Sequence, residues 1–341
     1  MAGIYYHVAK TGLDSNTGLS FVQAFLTINK LMTVLGSGDI ATFYDGTWQE
    51  SNALNNTITG GTVSDPTIFQ VANGAQTIIL GVTDDLYIFR LSNDPYVHII
   101  SGAGLLIIDG NGDGVSTTQG IKNDTIRFSG TASNCLVSGV EIRNANRQNA
   151  VQANSFVASA GIFIQDSTCT NTIIEDCYIH HIGQNVYIDS VELVNQTHAV
   201  YVRASNTLVK NCRVETIPYG FGLHAYSTSQ VNDDNIFDGN FIRDIAFGGI
   251  IMSAGDRQIA RNNRVTECGT DGIIIQYTSP SDCQIIQNTI EGVGRWGIRL
   301  GSDATGSLIK NNSITNSVSA AYQDDSTGAV FLDNYTGGAP L

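Results

Sequence analysis

Charge is the first scarcity. Only 14% of the 341 residues are Asp, Glu, Lys or Arg, and 17 Lys+Arg stand against 31 Asp+Glu, a formal net charge of −14. Nucleic-acid backbones are held by a basic footprint, so a general nucleic-acid surface is excluded, and any polyanion would have to be held by a few local cations. No apolar run approaches the ~18 residues of a membrane-crossing helix, so no membrane partner is expected. The start Met1-Ala2-Gly3 has no basic segment leading into an apolar one, so no secretory signal is expected there, and a trimmed secreted protein, a virion component and a cytosolic protein all stay open. The six cysteines, Cys135, Cys169, Cys177, Cys212, Cys268 and Cys283, contain no CxxC pair. They read as free core thiols rather than disulfides or metal ligands. Proline is also rare, at 5, while Gly reaches 36 and Asn and Thr are abundant, a mix that suits short strands and tight turns better than helices.

What is present is repetition. Six segments open alike: Ala160-Gly161-Ile162-Phe163-Ile164, His198-Ala199-Val200-Tyr201-Val202, Phe221-Gly222-Leu223-His224-Ala225, Gly248-Gly249-Ile250-Ile251-Met252, Asp271-Gly272-Ile273-Ile274-Ile275 and Trp296-Gly297-Ile298-Arg299-Leu300. Each is followed by a second apolar stretch and a bend, whose second member falls at Cys177, Cys212, Asn240, Asn263, Asn288 and Asn312, in steps of 35, 28, 23, 25 and 24. Short strands at this spacing, with no helical period between them, cannot form βαβ units; a solenoid of stacked coils accounts for all of them. The expected fold is all-β, a single-stranded right-handed parallel β-helix, with Asn240, Asn263, Asn288 and Asn312 forming a structural ladder at one corner.

One domain, 1–341, is expected: an N-terminal cap at 1–38, coils at 39–320 and a Gly-rich, acidic C-terminal cap at 321–341. An end cap is needed because an open coil exposes strand edges and core. Phe25, Ile28, Leu31, Met32 and Leu35 recur at helical spacing, which predicts a capping helix over 25–35.

The opening Tyr5-Tyr6-His7-Val8-Ala9-Lys10-Thr11-Gly12-Leu13-Asp14-Ser15-Asn16-Thr17-Gly18, then Thr27-Ile28, Gly38-Asp39 and Tyr44-Asp45-Gly46-Thr47-Trp48, resembles the leader of pectate-lyase-like right-handed β-helix proteins. Ile108-Asp109-Gly110-Asn111-Gly112 and the later coils extend the likeness over nearly the whole chain. That superfamily holds polysaccharide lyases, glycosidases, uronan epimerases and phage tailspikes, so the resemblance implies a fold and a polysaccharide partner more sharply than a reaction. It implies an extracellular or virion-associated setting and, in the tailspike case, a trimer, although no coiled-coil heptad is present. The epimerases' Asp-Pro-His run is replaced here by Asp94-Pro95-Tyr96.

Alternation along the first strand sends Val200 and Val202 inward and His198, Tyr201 and Arg203 outward; in the next coil Leu223 and Ala225 face in, and Phe221, His224 and Tyr226 face out. Stacked strands lie about 4.8 Å apart, so Tyr201 should adjoin His224 and Arg203 should adjoin Tyr226. Extra residues at about 143–159, 184–197 and 227–235 would wall a groove above this cluster. Such residues suit β-elimination of an acidic, uronate-containing polysaccharide: Arg203 neutralises the carboxylate, His224 or Tyr201 takes the C5 proton while the other protonates the leaving oxygen, and His198 and Tyr226 position the sugar. Trp296 with Arg299 offers a stacking platform for a neighbouring unit.

Outward Tyr, His and Arg also decorate surfaces without any catalytic duty, so a non-catalytic glycan-binding or structural β-helix is the alternative. A glycoside hydrolase needs two carboxylates across the scissile bond; only Asp271 stands on an outward first-strand position, and Asp233, Asp234 or Asp256 would have to supply its partner. An epimerase would share proton abstraction. No metal site is assigned. Asp109-Gly110-Asn111-Gly112-Asp113-Gly114 begins like a calcium loop, but Gly120 occupies the position of the bidentate Glu, and a turn is the better reading. Calcium held by Asp189 and Glu192 is left open without a spacing rule behind it. His180-His181 reads as a strand-end turn, with its two side chains on opposite faces.

Overall fold

The computed structural model describes residues 3–51, 54, 58–83, 85–112, 121, 124–145, 159–183, 197–227 and 231–337. Each coil contributes one short strand to each of three sheets, which among the described residues hold twelve, eleven and nine strands. One full turn runs through Thr197–Val202 in the nine-stranded sheet, Leu208–Lys210 in the twelve-stranded sheet and Arg213–Ile217 in the eleven-stranded sheet. The next turn begins at Gly220–Ala225, paired in parallel with Thr197–Val202. The architecture is a parallel β-helix, as the repeat implies.

Stacking coils in register places like on like. In the nine-stranded sheet Ile162, Val200, Leu223, Ile250, Ile273 and Ile298 form one inward column, all fully buried. Each such aliphatic side chain taken from water contributes about 1.5–3 kcal/mol. These columns join the inward residues of the other two sheets in one core, which extends from Tyr6 to Ile314.

The corner between the twelve- and eleven-stranded sheets is turned by one left-handed residue per coil: Asp176, Asn211, Gly239, Asn262, Gln287, Asn311 and Asp333 all have φ between 52° and 68°. Asn and Asp tolerate this region better than most residues because their short side chains bond locally. The residue that follows is the ladder. Asn240 donates its backbone N–H and Nδ2 to Oδ1 of Asn263 (2.9 and 3.0 Å), and the pattern repeats from Asn263 to Asn288, Asn288 to Asn312 and Asn312 to Asn334. Asn334 is one rung more than expected. Cys177 and Cys212 hold the same position in earlier coils, and all six cysteines are free and buried.

At the N-terminal end the helix is shorter than the apolar spacing predicts: Ile28–Met32, preceded by a 3-10 turn at Phe21–Gln23. Thr27 caps it, accepting the Lys30 N–H at 3.0 Å, so the chain before Thr27 is extended and Phe25 packs from outside the helix. At the other end Ala320–Asp324, Val330–Leu332 and Tyr335–Thr336 add a further coil within the segment expected as a cap.

Candidate functional site

The outer wall of the nine-stranded sheet carries the sequence-predicted cluster. Along it runs one column, residue on residue: Arg127, Phe163, Tyr201, His224, Ile251, Ile274 and Arg299. A second column holds Ala160, His198 and Phe221. Alternation breaks between the two, since Ala199 and Val200 both lie in the core, which is why His198 and Tyr201 share a face although three positions apart. Tyr201 meets His224 as expected, with ring centroids 5.0 Å apart. His224 in turn lies 4.6 Å from the His198 ring and 5.6 Å from Tyr226, on which it stacks.

The expected open groove floor is corrected in one respect: the cluster faces away from the core but is buried. His198, Tyr201 and His224 are 2%, 6% and 7% exposed, and only Arg203 and Tyr226 are half-buried. The rings shield one another. Phe163 stacks on Tyr201 at 4.8 Å and Phe221 on His198 at 5.9 Å. Of the wall-forming insertions expected at about 143–159, 184–197 and 227–235, residues 146–158, 184–196 and 228–230 lie outside the described residues, as do Asp189 and Glu192.

Burial sets the protonation states. It drives the His198 imidazole down to about 3 and, together with the neighbouring His198, holds His224 well below its ordinary value, so both rings are neutral near pH 7. Tyr201 moves the other way, to about 12, because burial outweighs the pull of Arg203, and it keeps its proton. His224 Nδ1 lies within hydrogen-bond distance of His198 Nε2 (3.3 Å), with the tautomer setting which ring donates, while His224 Nε2 lies 3.1 Å from Ser253 Oγ. His198 Nδ1 has no hydrogen-bond partner among the described residues.

Asp271 is not a free carboxylate. It is fully buried, accepts Arg295 Nε at 2.8 Å and the Trp296 N–H at 3.3 Å, pairs with Arg295 Nη2, and lies 3.9 Å from Arg299 Nη1. Its effect is to hold two guanidinium groups against Trp296, at 4.2 and 5.3 Å from the ring centroid. Trp296 and Arg299 are brought together as expected; Arg295, whose role the sequence reading missed, is what anchors them. Arg127 was missed too. It binds the fully buried Asp124 (Nε to Oδ2, 2.6 Å), donates to Tyr87 and Gln165, and lies 4.9 Å from the Phe163 ring. Burial lifts Asp124 to about 6 against the pull of Arg127. The signal was present in the sequence: Arg127 follows Ile126 as Tyr201 follows Val200 and His224 follows Leu223.

Two further segments lie on the eleven-stranded sheet. Asp109 forms a turn, accepting the Asn111 N–H at 2.8 Å on one oxygen and Arg143 Nε at 2.7 Å on the other, while Asp113, Gly114 and Gly120 of the same segment lie outside the described residues. Among the described residues no group of three or more His, Cys, Asp or Glu is placed to hold a metal ion. His180 and His181 do not diverge: His181 is left-handed (φ 54°), which cancels the alternation and brings the two Nδ1 atoms to 2.6 Å.

The fold and its stacked corners define a right-handed parallel β-helix protein, and residues 183–336 match the model of the right-handed β-helix region. The chain is similar to the A-module of the Azotobacter vinelandii mannuronan C-5 epimerase AlgE4, with a TM-score of 0.62 at 14% identity over 89% of this chain and 87% of that one. It is similar to a rhamnogalacturonan lyase (TM-score 0.58, 15% identity, 92% of this chain and 74% of that one). A tailspike protein mutant of E. coli bacteriophage HK620, in complex with a pentasaccharide, gives a TM-score of 0.62 at 15% identity, over 93% of this chain and 60% of that one. At such identities the likeness is one of fold. No curated protein matches the sequence.

Proposed function

We propose that this β-helix acts on a polysaccharide at the outer face of its nine-stranded sheet, cleaving a uronate-containing chain by β-elimination. The observation that carries the reading is the rung pairing Tyr201 with His224, which joins a neutral imidazole to a protonated phenol 5.0 Å away. Their protonation states divide the labour that the sequence left open. His224, neutral, takes the C5 proton; the electron pair forms the C4–C5 double bond; the C4–O bond breaks; and Tyr201, which holds its proton, donates it to the leaving oxygen. With His224 Nδ1–H donating its hydrogen bond to His198 Nε2, the basic lone pair stands at Nε2, where among the described residues the Ser253 hydroxyl meets it. Arg203, half-buried at the rim, faces the substrate carboxylate and stabilises the charge that develops on it.

The printed names of the fold neighbours, an epimerase, a lyase and a tailspike bound to a pentasaccharide, support a polysaccharide as partner and leave an extracellular or virion setting open. A second reading, glycan binding without turnover, is favoured by the burial of His198, Tyr201 and His224; Arg203, Tyr226, Trp296 and Arg299 would then be the contact groups. Hydrolysis loses support because Asp271 is spent on Arg295. Incubation with alginate, pectate, chondroitin and bacterial capsules separates these readings. Ultraviolet absorbance from unsaturated ends marks the lyase, reducing ends without it mark a hydrolase, and binding with neither overturns turnover at this face.

A further inference from the structure

A left-handed residue closes the corner between the eleven- and nine-stranded sheets in coil after coil: Asn144, His181, Thr216, Asp244, Glu267 and Asn316 have φ between 54° and 57°. The first four directly follow residues of one outward column, in which Arg143, His180, Glu215 and Arg243 stack rung on rung. Consecutive side chains of a strand part to opposite faces, and a left-handed turn cancels that parting. The coil before His180 shows the result, since Arg143 and Asn144 both donate to Asp109, at 2.7 and 3.0 Å. In the next coil the two converging side chains are imidazoles, and their Nδ1 atoms come to 2.6 Å.

The inner ring is fixed in place by the protein itself. His180 is 9% exposed, stacks on Tyr178 with ring centroids 4.1 Å apart, and sets its Nε2 3.3 Å from Glu141 Oε1. A carboxylate at Nε2 keeps the proton on that nitrogen and leaves the lone pair on Nδ1, which is how ligating histidines are held. Burial, helped by His181 and Arg143 against the pull of Glu141, holds His180 below its ordinary value, so the ring is neutral near pH 7, the form that ligates. Arg143 is spent on Asp109 and Glu141, at 2.7 and 2.8 Å, which leaves little bare positive charge beside the pair. His181 is exposed, so its ring can turn and its Nδ1 can be reached from water.

We propose that His180 and His181 chelate a divalent transition-metal ion through their two Nδ1 atoms, copper(II) in preference to zinc. Imidazole nitrogens bind such ions at about 2.0 Å, so two of them stand about 2.8 Å apart in a square-planar site and about 3.3 Å apart in a tetrahedral one. The 2.6 Å found here is nearer the square, and a small turn of the exposed His181 ring opens it. Among the described residues no third His, Cys, Asp or Glu joins the pair, so water completes the coordination. Copper(II) accepts such a shell and heads the affinity order for nitrogen sites, whereas calcium takes oxygen ligands. The proton that His181 Nδ1 donates to His180 Nδ1 in the free protein moves to His181 Nε2, so both rings bind neutral and no net proton is released. The site involves no sugar and no residue of the nine-stranded face, and it stands whether or not that face turns a polysaccharide over.

Titration calorimetry on the untagged full chain with copper(II), zinc(II) and calcium chlorides tests it, joined for copper by electron paramagnetic resonance. One copper(II) ion per chain should bind more tightly than zinc, unopposed by excess calcium, with nitrogen couplings from two imidazoles in its spectrum. His181→Asn installs the residue that already turns this corner at Asn144 and Asn316, so it keeps the fold while removing one ligand. It should weaken copper binding about a hundredfold, the upper end of what losing even an outer partner of a metal site costs, and Glu141→Gln should weaken it about tenfold. His224→Ala should leave copper binding unchanged, which sets aside the histidine pair of the nine-stranded face. No copper binding at micromolar concentrations, zinc bound as tightly as copper, wild-type affinity in His181→Asn, or a loss in His224→Ala equal to that in His181→Asn would each overturn the proposal.

Discussion

The outer faces of the nine- and eleven-stranded sheets are built on the same rungs of the same coils, yet they present opposite surfaces. On the nine-stranded side aromatic and imidazole rings fill consecutive positions of one column and cover one another, so polar atoms there are few, buried and locked into short chains of hydrogen bonds. On the eleven-stranded side an arginine follows each aromatic, and its long polar arm reaches water. A solenoid leaves its exterior free to vary because register and core are settled by the inward residues alone. What distinguishes a dry, proton-handling wall from a wet, charge-presenting one is which side chains follow one another from coil to coil.

The sharpest way to break this contrast is to remove the imidazole at the centre of the dry face. His224→Ala should reduce unsaturated-end formation by about a thousandfold, the middle of the range for a lost general base. Turnover within a few-fold of wild type would end the assignment of His224. Next in size is Asp271→Asn. This substitution leaves Arg295 and Arg299 beside a neutral group and the buried rung without its charge partner, and it should destabilise the fold by about 3 kcal/mol in denaturant unfolding. A loss below about 0.5 kcal/mol, the usual ceiling for a surface change, would mean that the pair is an ordinary surface bridge.

The two faces should also part company with pH. The His198 and His224 values are depressed in the folded state, so the unfolded chain binds more protons once pH drops below the ordinary histidine value of 6.5; their contribution to stability is complete above that value and is lost as pH falls through their depressed values, about 3 for His198. Asp124 opposes them: raised from 3.8 to about 6, it binds a proton more readily when folded, and its contribution is lost as pH rises through that window. On the wet face Glu215 is held below the ordinary carboxylate range, because Arg213, Tyr178 and Arg243 outweigh its own burial. Its contribution is therefore lost only when pH falls below 4.5 toward that lower value. Unfolding free energies of wild type and His198→Phe across pH 4 to 7 should diverge below about 6.5, with the variant the flatter. Parallel curves would show that the His198 ring is not held neutral by the fold.

Much of this was legible in the sequence, and what was not has a common cause. The meeting of Tyr201 with His224, and the asparagine ladder, follow from the repeat, because an in-register solenoid turns a sequence offset into contact. Burial did not follow, since it depends on how Phe163, Tyr201, His224 and Tyr226 lean on one another, which spacing does not encode. Arg295 was hidden because it stands just before the strand Trp296–Leu300, outside the aligned pattern. The eleven-stranded face was hidden because most of its strands are only three to five residues long, too short to show a period, and a left-handed residue such as His181 or Thr216 interrupts each alternation.

The finest distinction between the faces rests on Ser253. It is fully buried in the coil that follows His224, and its hydroxyl meets Nε2 at 3.1 Å, so it acts as a positioning residue for the imidazole. Ser253→Ala removes that hydrogen bond and leaves Nε2 unpaired in a dry site, a cost of about 1 kcal/mol to stability. The kinetic outcome separates positioning from packing. A side chain that merely packs would lower stability and leave turnover alone, whereas one that orients the base should lower kcat several-fold with KM little changed, because its hydrogen bond acts on the imidazole and not on substrate affinity. Ser253→Thr, which retains the hydroxyl, should restore kcat even where its extra methyl group costs stability. An unchanged kcat in Ser253→Ala, or a loss that Thr does not rescue, would show that the His224 ring is held by His198 and the surrounding aromatics alone.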